Sequence, residues 1–366
     1  MAIGVMTHIV ARRLLLALTL LLGACAETAY YWQSIGGHMR LMQSARPIRD
    51  WLEDAQTAPA LRARLQLAQQ IRHFATTRLH LPDNASYQAY ADLHRRHVVW
   101  NVVATPEFSL TLKTWCFPVA GCVTYRGYFD ESAANQQASE LRHQGWEVSV
   151  YGVPAYSTLG WMNWAGGDPL LNTFVHYSDG ELARLMFHEL AHQVVYVADD
   201  TRFNESFATA VERLGVRQWL DLKGDPQVKA QYQLFDQRRV QFRTLTRQTR
   251  QKLLDFYAQK QALAQSKQEI SAIKNKIMQE FRADYTQIKQ QWGGYSGFDA
   301  WVAQANNASF AAQAAYDDLV PGFEALFEQV GRDWQRFYDA VRQLAKMAAI
   351  ERNTHLQQWA QEQTLG

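Results

Sequence analysis

The chain has 366 residues and a mass of 42.0 kDa, enough for one large domain or two modest ones, which excludes a peptide or a fibre. Apolar residues make up 48% and charged residues 20%, so a packed core is supplied and disorder is not the default. Lysine plus arginine number 37 against 35 acidic residues, a balance that provides no basic field to hold nucleic acid.

At the N-terminus Arg12 and Arg13 precede an apolar run from Leu14 to Leu22, and Gly23, Ala24 and Cys25 follow. A positive flank, a short apolar run and small residues at the break predict an export signal over residues 1–24. The run is roughly half of the ~20 residues that cross hydrocarbon, which argues against a permanent span. Leu22-Gly23-Ala24-Cys25 also resembles a bacterial lipobox, in which the cysteine takes lipid and begins the mature chain. The expected location is the bacterial cell envelope, with a soluble domain facing the periplasm and held to the membrane by lipid on Cys25. Cys116 and Cys122 remain, in a short stretch with Pro118 and Gly121. Export places them in an oxidising compartment, which favours a disulfide. A zinc pair would need a second cysteine pair.

Residues 26–100 read as helical, with Leu61, Leu65, Leu67, Ile71 and Phe74 near helical spacing in Ala58–Arg78. Strand-like stretches follow at Trp100–Val103, Phe108–Leu112, Val123–Tyr128 and Trp146–Val153. Ser178 with Glu181 predicts a capping box opening a helix whose apolar face is Leu182, Leu185, Met186, Leu190, Val194 and Val197. After a turn at Ala198-Asp199-Asp200, a second helix runs through Asn204 and Glu205 to a stop at Gly215. Residues 216–366 contain no convincing strand. Within them Gln227–Trp292 lacks Gly and Pro and is long enough for two antiparallel helices. Its basic residues, including Arg238, Arg239, Arg243, Arg247, Arg250 and Lys252, read as a solvated face rather than a lipid-binding one. Ala303–Ala348 resumes a buried-helix pattern. The expected fold is α+β and predominantly helical, with a small mixed sheet. The catalytic part spans 25–215 and a long helical region spans 216–366.

The chemistry is concentrated in His188-Glu189-Leu190-Ala191-His192. Residues four apart share a helix face, so both imidazoles reach one ion. Zinc takes such nitrogen ligands, and a catalytic site keeps a position for water. Glu189 is rotated about 100° from His188, where it can take a proton from that water. A third ligand is required. Two helices joined by a short turn pack antiparallel, which brings Glu205 back beside the two histidines. Glu212 lies seven residues further on the same face, and reads either as a surface carboxylate or as a hydrogen-bond partner for the far nitrogen of a ligand histidine. Tyr156, Tyr125 and Tyr316 are the candidates for a hydroxyl that stabilises a developing oxyanion. Trp146–Val153 is the candidate edge for an extended peptide.

With Asn204-Glu205 following it, the motif resembles those of the glutamate-ligand zincins, which include thermolysin and the aminopeptidase N enzymes. More closely, the chain resembles a bacterial family of aminopeptidase lipoproteins. The likeness rests on the lipobox at Cys25, on Cys116–Cys122 followed by Tyr125 to Asp130, on Val153 to Trp161, on Asp168 to Leu171, on the motif itself, and on Asn306-Asn307-Ala308. It runs from Cys25 to about Leu344. The resemblance implies a zincin-like metallopeptidase domain, one zinc ion, ligands His188, His192 and Glu205, and Glu189 as base. Two departures are plain. The third ligand comes sooner after the motif than in thermolysin or aminopeptidase N, and the Gly-x-Met-Glu-Asn segment of aminopeptidase N is absent.

The function expected is zinc-dependent hydrolysis of peptides, with Glu189 activating water on the metal. The rival reading is a non-catalytic envelope lipoprotein that uses the helical hairpin as a binding scaffold, with a structural or vestigial zinc site. Glu189 separates the two, since a structural site has no use for an unliganded carboxylate beside two histidines.

Overall fold

The computed structural model describes residues 30–117, 121–158, 160, 166–259, 266–314 and 318–365. The expected export signal, Cys25 and Tyr316 lie outside them. A helix over 30–44 (α1) is followed by β1 (Arg46–Pro47), α2 (Ile48–Glu53) and α3 (Pro59–Thr77). Pro59 sits at the first helical position, where its missing N–H costs nothing. Next come β2 (Ala89–Ala91), β3 (Val99–Pro106), β4 (Trp115–Phe117), β5 (Gly121–Val123), β6 (Arg126–Tyr128), α4 (Glu131–His143), β7 (Trp146–Val153) and β8 (Leu170–Leu171). The motif helix α5 (Asp179–Ala191) and its partner α6 (Thr201–Lys223) precede the long α7 (Pro226–Gln259) and α8 (Lys267–Gln291). Five shorter helices complete the chain: α9 (Asp299–Gln304), α10 (Asn307–Ala314), α11 (Val320–Gln329), α12 (Trp334–Ala345) and α13 (Ala349–Leu365).

The architecture is α+β and predominantly helical, as expected. One sheet is antiparallel, in the order β6-β3-β7; a smaller mixed one has β2 antiparallel to β1 and parallel to β8. Cys116 and Cys122 face each other across the β4–β5 hairpin and are joined as a disulfide. Among the described residues no helix is long and apolar enough to cross a membrane.

Several expectations need correction. Phe108–Leu112 forms no strand: Phe108, Leu110 and Leu112 turn into the apolar cluster of the α7–α8 hairpin, and burial there replaces a sheet neighbour. Val123–Tyr128 is two strands, parted at Thr124 and Tyr125. The Ser178 hydroxyl makes no capping bond; Glu181 turns instead to Arg184 and Arg239. Gly215 does not stop its helix, which continues to Lys223 and ends at Gly224 in the left-handed region that favours glycine. The boundary at 215 therefore falls inside α6. Moreover, Phe323, Phe337 and Leu356 of α11, α12 and α13 share one core with Leu65, Phe187 and Phe207 of α3, α5 and α6. The hairpin, with α9 and α10, carries a separate cluster around Phe242, Phe281 and Phe310, and the antiparallel sheet with α4 carries another around Val102, Ala138 and Leu141. The hairpin helices are antiparallel, as expected, since Arg238 reaches Trp292 while Lys252 reaches Glu280. Arg239 is not on a solvated face but buried, 8% exposed.

Gly215 is needed for packing. A Cβ there would lie 2.7 Å from Leu79 Cδ1 and 3.0 Å from Phe187 Cδ2, and both neighbours are fully buried. Helix propensity alone would make Gly215→Ala stabilising by up to ~1 kcal/mol. Overpacking acts the other way, so a net loss of about 1–3 kcal/mol is expected in urea unfolding. An unchanged or raised midpoint would refute this account of the α5–α6 contact.

Candidate metal centre

Helix α5 is apolar on most sides: Leu182, Ala183, Met186, Phe187 and Leu190 are buried, and the last turn presents His188 and His192 together. The chain then reverses through 193–200. Two side chains fix where α6 begins. Asp200 accepts a hydrogen bond from Phe203 N at 2.9 Å, capping the helix, and is itself gripped at 2.5 Å by Arg352 of α13. The Asn204 amide pairs in both directions with the backbone of Val197, donating to its carbonyl and accepting from its N–H, each at 2.8 Å. This clasp fixes the turn and delivers the next residue, Glu205, to the imidazoles.

Three donor atoms converge. His188 Nε2 and His192 Nε2 are 3.2 Å apart, Glu205 Oε2 is 3.3 Å from the first and 3.7 Å from the second. Bonds of about 2.0–2.1 Å in tetrahedral directions space zinc ligands about 3.3 Å apart, so the triangle has the size a zinc ion requires. Its chemistry fits too. Two imidazole nitrogens face one another, and the buried Nδ1 of His192 has no hydrogen-bond partner.

Behind this triangle runs a chain of charges. His188 Nδ1 meets Glu212 Oε2 at 3.0 Å, while Glu212 Oε1 accepts from Arg184 at 2.7 Å. Arg184 also pairs with Glu181, which receives two hydrogen bonds from Arg239 of α7. Of the two sequence readings of Glu212, the structure shows the hydrogen-bond partner of His188 and not the surface carboxylate. Arg184, Glu181 and Arg239 were not anticipated, although Glu181, Arg184 and His188 follow the (i, i+3) and (i, i+4) steps that align side chains on one face.

Ionisation follows from these contacts in the metal-free chain. Burial works against a charged His188, yet its bonds to Glu205 and Glu212 raise it to about 10. Burial lowers His192 to about 4, so it stays neutral. Burial opposes the charge of Glu205 and of Glu212, but both are held below the usual carboxylate range, Glu205 by the two histidines and Glu212 chiefly by Arg184. Glu189 has no such partner. Burial raises it to about 7, against the pull of His188.

The centre opens into a cavity of about 640 Å³ that also contains Glu189. One face of the antiparallel sheet forms a wall, through Val99, Asn101, Gly127 and Val153. The edge of β7 is not that wall: α10 packs beside it, and Asn306 donates to the Val148 carbonyl. Phe117 and Val123 of the disulfide hairpin and Tyr30 of α1 cover another side. Tyr156 lines the cavity, but it packs on Phe129 and its nearest carboxylate influence is Asp168. Tyr125, half-buried, lines the same cavity, and Glu205 and Glu189 both raise its phenol beyond the effect of burial. Tyr196 also lines the cavity and feels Glu205. No local pattern marked Tyr196, since its role depends on the turn clasped by Asn204. A larger cavity, about 1460 Å³ between α3 and α12, contains none of these groups.

A family profile described as "Putative aminopeptidase" matches residues 29–356. No curated protein and no solved structure matches the chain.

A zinc ion bound to this triangle would have to displace the proton held by His188. The metal-free chain gains stability from that proton below about pH 6.5 and loses it as pH rises through about 10. Titration with zinc near neutral pH is therefore expected to release about one proton per ion, read by calorimetry in buffers of different ionisation enthalpy. Glu212→Gln should weaken zinc binding by about 10–100-fold. Proton-neutral binding, or unchanged affinity in the variant, contradicts this account.

Proposed function

The chain belongs to this aminopeptidase family, and from that premise we propose that it is a zinc-dependent peptidase whose ion is held by His188, His192 and Glu205. One observation carries the reading. Beside a donor triangle of zinc dimensions stands a carboxylate, Glu189, that no hydrogen bond or ion pair engages among the described residues. Zinc bound there supplies Lewis acidity to a carbonyl and acidifies water.

The chain's own residues do the rest. Glu189 takes the proton of the attacking water and hands it to the leaving amine, the work of a base that ionises near neutrality. Tyr125, close to both Glu189 and Glu205, offers its hydroxyl to the oxygen that gains charge. Its high proton affinity keeps it a donor across the working range. Tyr156 serves as cavity wall rather than as donor. Glu212 orients His188 through Nδ1, so that Nε2 faces the ion. The cavity accepts a peptide along walls of Tyr30, Phe117, Val123 and Phe129, which suit apolar and aromatic side chains. Cys25 carries the lipid that holds this domain in the bacterial envelope, facing the periplasm.

The scaffold reading finds no support in a carboxylate that faces the cavity beside the triangle without a partner, since a structural ion has no use for it. Glu189→Gln should retain zinc and lose hydrolysis by about 10²–10⁴-fold. For an aminopeptidase, acetylating the substrate N-terminus should abolish cleavage as well. Zinc-loaded wild type that cuts no peptide in a broad library would establish the scaffold reading instead.

A further inference from the structure

Helix α1 has two unlike faces. The inner one is stitched to the cavity wall. Gln33 donates to the Gly127 carbonyl at 3.3 Å and accepts from Phe129 N at 3.1 Å. Gly37 lies flat on Phe129, where a Cβ would come within 2.2 Å of the ring, and Leu41 is buried. Tyr30, Tyr31 and Ser34 line the cavity itself. The outer face is apolar and bare: Trp32 is 69% exposed, Ile35 51% and Met39 54%. At 100° per residue these three fall within one stripe about 60° wide, and no charged residue lies within it.

The tether decides what covers this stripe. From Cys25 to Tyr30 the chain advances five residues. Fully extended, these span at most about 18 Å. If the Cys25 lipid is in a bilayer, α1 starts no further than that from it. Trp, Ile and Met on a helix at that distance match a helix lying in the membrane interface, apolar side down, at a depth of about 5–10 Å.

We propose that Trp32, Ile35 and Met39 rest in the bilayer interface, so that the cavity opens beside the membrane and takes peptides held at the membrane surface. This rests on the lipid at Cys25 and on the peptidase reading. The inner face of α1 forms the cavity rim while the outer face meets lipid, so one rigid helix sets the distance between reacting bond and membrane. A peptide inserted in the same bilayer is then presented at high effective concentration, and a freely dissolved one is not.

The test uses the full-length chain, purified and reconstituted into phosphatidylethanolamine–phosphatidylglycerol vesicles containing acyl-brominated lipid, which quenches tryptophan in contact with it. Wild type should show a quenched component that Trp32→Phe removes. The triple variant Trp32→Ser, Ile35→Ser, Met39→Ser should cut a palmitoylated fluorogenic peptide in those vesicles about 10-fold more slowly, with cleavage of the same peptide lacking palmitate unchanged. Equal quenching in wild type and Trp32→Phe overturns the proposal. So does an Ile35→Cys disulfide between two copies without quenching, because the face would then be a dimer contact. The mass of the N-terminal fragment reports lipid on Cys25 separately, and hydrolysis of the soluble peptide reports the peptidase reading. Quenching that persists when either of these fails still supports the membrane contact.

Discussion

The arrangement depends on keeping one imidazole between two carboxylates of the same neighbouring helix. Glu205 meets His188 at Nε2 and Glu212 meets it at Nδ1, two turns apart on α6. Buried carboxylates are costly unless each is fully paired, and removing one partner leaves an uncompensated charge. The surrounding structure answers that demand with a relay from Glu212 through Arg184 and Glu181 to Arg239. This gives the long α7–α8 hairpin a reason to pack against the motif helix: its Arg239 completes the pairing that begins at His188.

The same logic shapes the turn between the ligands. A turn of this kind would normally be free to move, but Asn204 closes on Val197 while Arg352 holds Asp200. From the other side Asp199, at positive φ, accepts the Cys122 N–H, and Gly121 approaches so closely that a Cβ would fall 2.6 Å from the Asp199 carboxylate. The disulfide hairpin that covers the cavity is therefore fastened to the segment that positions Glu205. Cover and ligand geometry share one anchor.

Much of the site was legible because it is local. His188 and His192 share a face through helical periodicity, and the antiparallel return that brings Glu205 and Glu212 back follows from a short turn between amphipathic helices. The β7 strand and the α7–α8 hairpin were legible for similar reasons of pattern and length. What failed was inference from single residues with more than one use. Ser178 and Glu181 read as a cap, but a buried arginine on another helix claimed the glutamate. Gly215 read as a stop, but its lack of a side chain serves the approach of Leu79 and Phe187. Phe108–Leu112 alternates like a strand, and its apolar side chains found burial in a helical hairpin far along the chain.

By itself the sequence determined the motif helix, the three side chains that could hold a metal and the unpaired carboxylate beside them, the cysteine pair and the helical bias, all of which rest on spacing within a few turns. Tertiary structure alone decided that Arg184 and Arg239 complete the charge relay, that Tyr125 rather than Tyr156 feels Glu189 and Glu205, and that α1 turns one face to the cavity rim and leaves the opposite, apolar face bare. Such choices depend on which distant segments share a low-dielectric interior. There the pairing of charges is set by contact in space, which no local periodicity encodes.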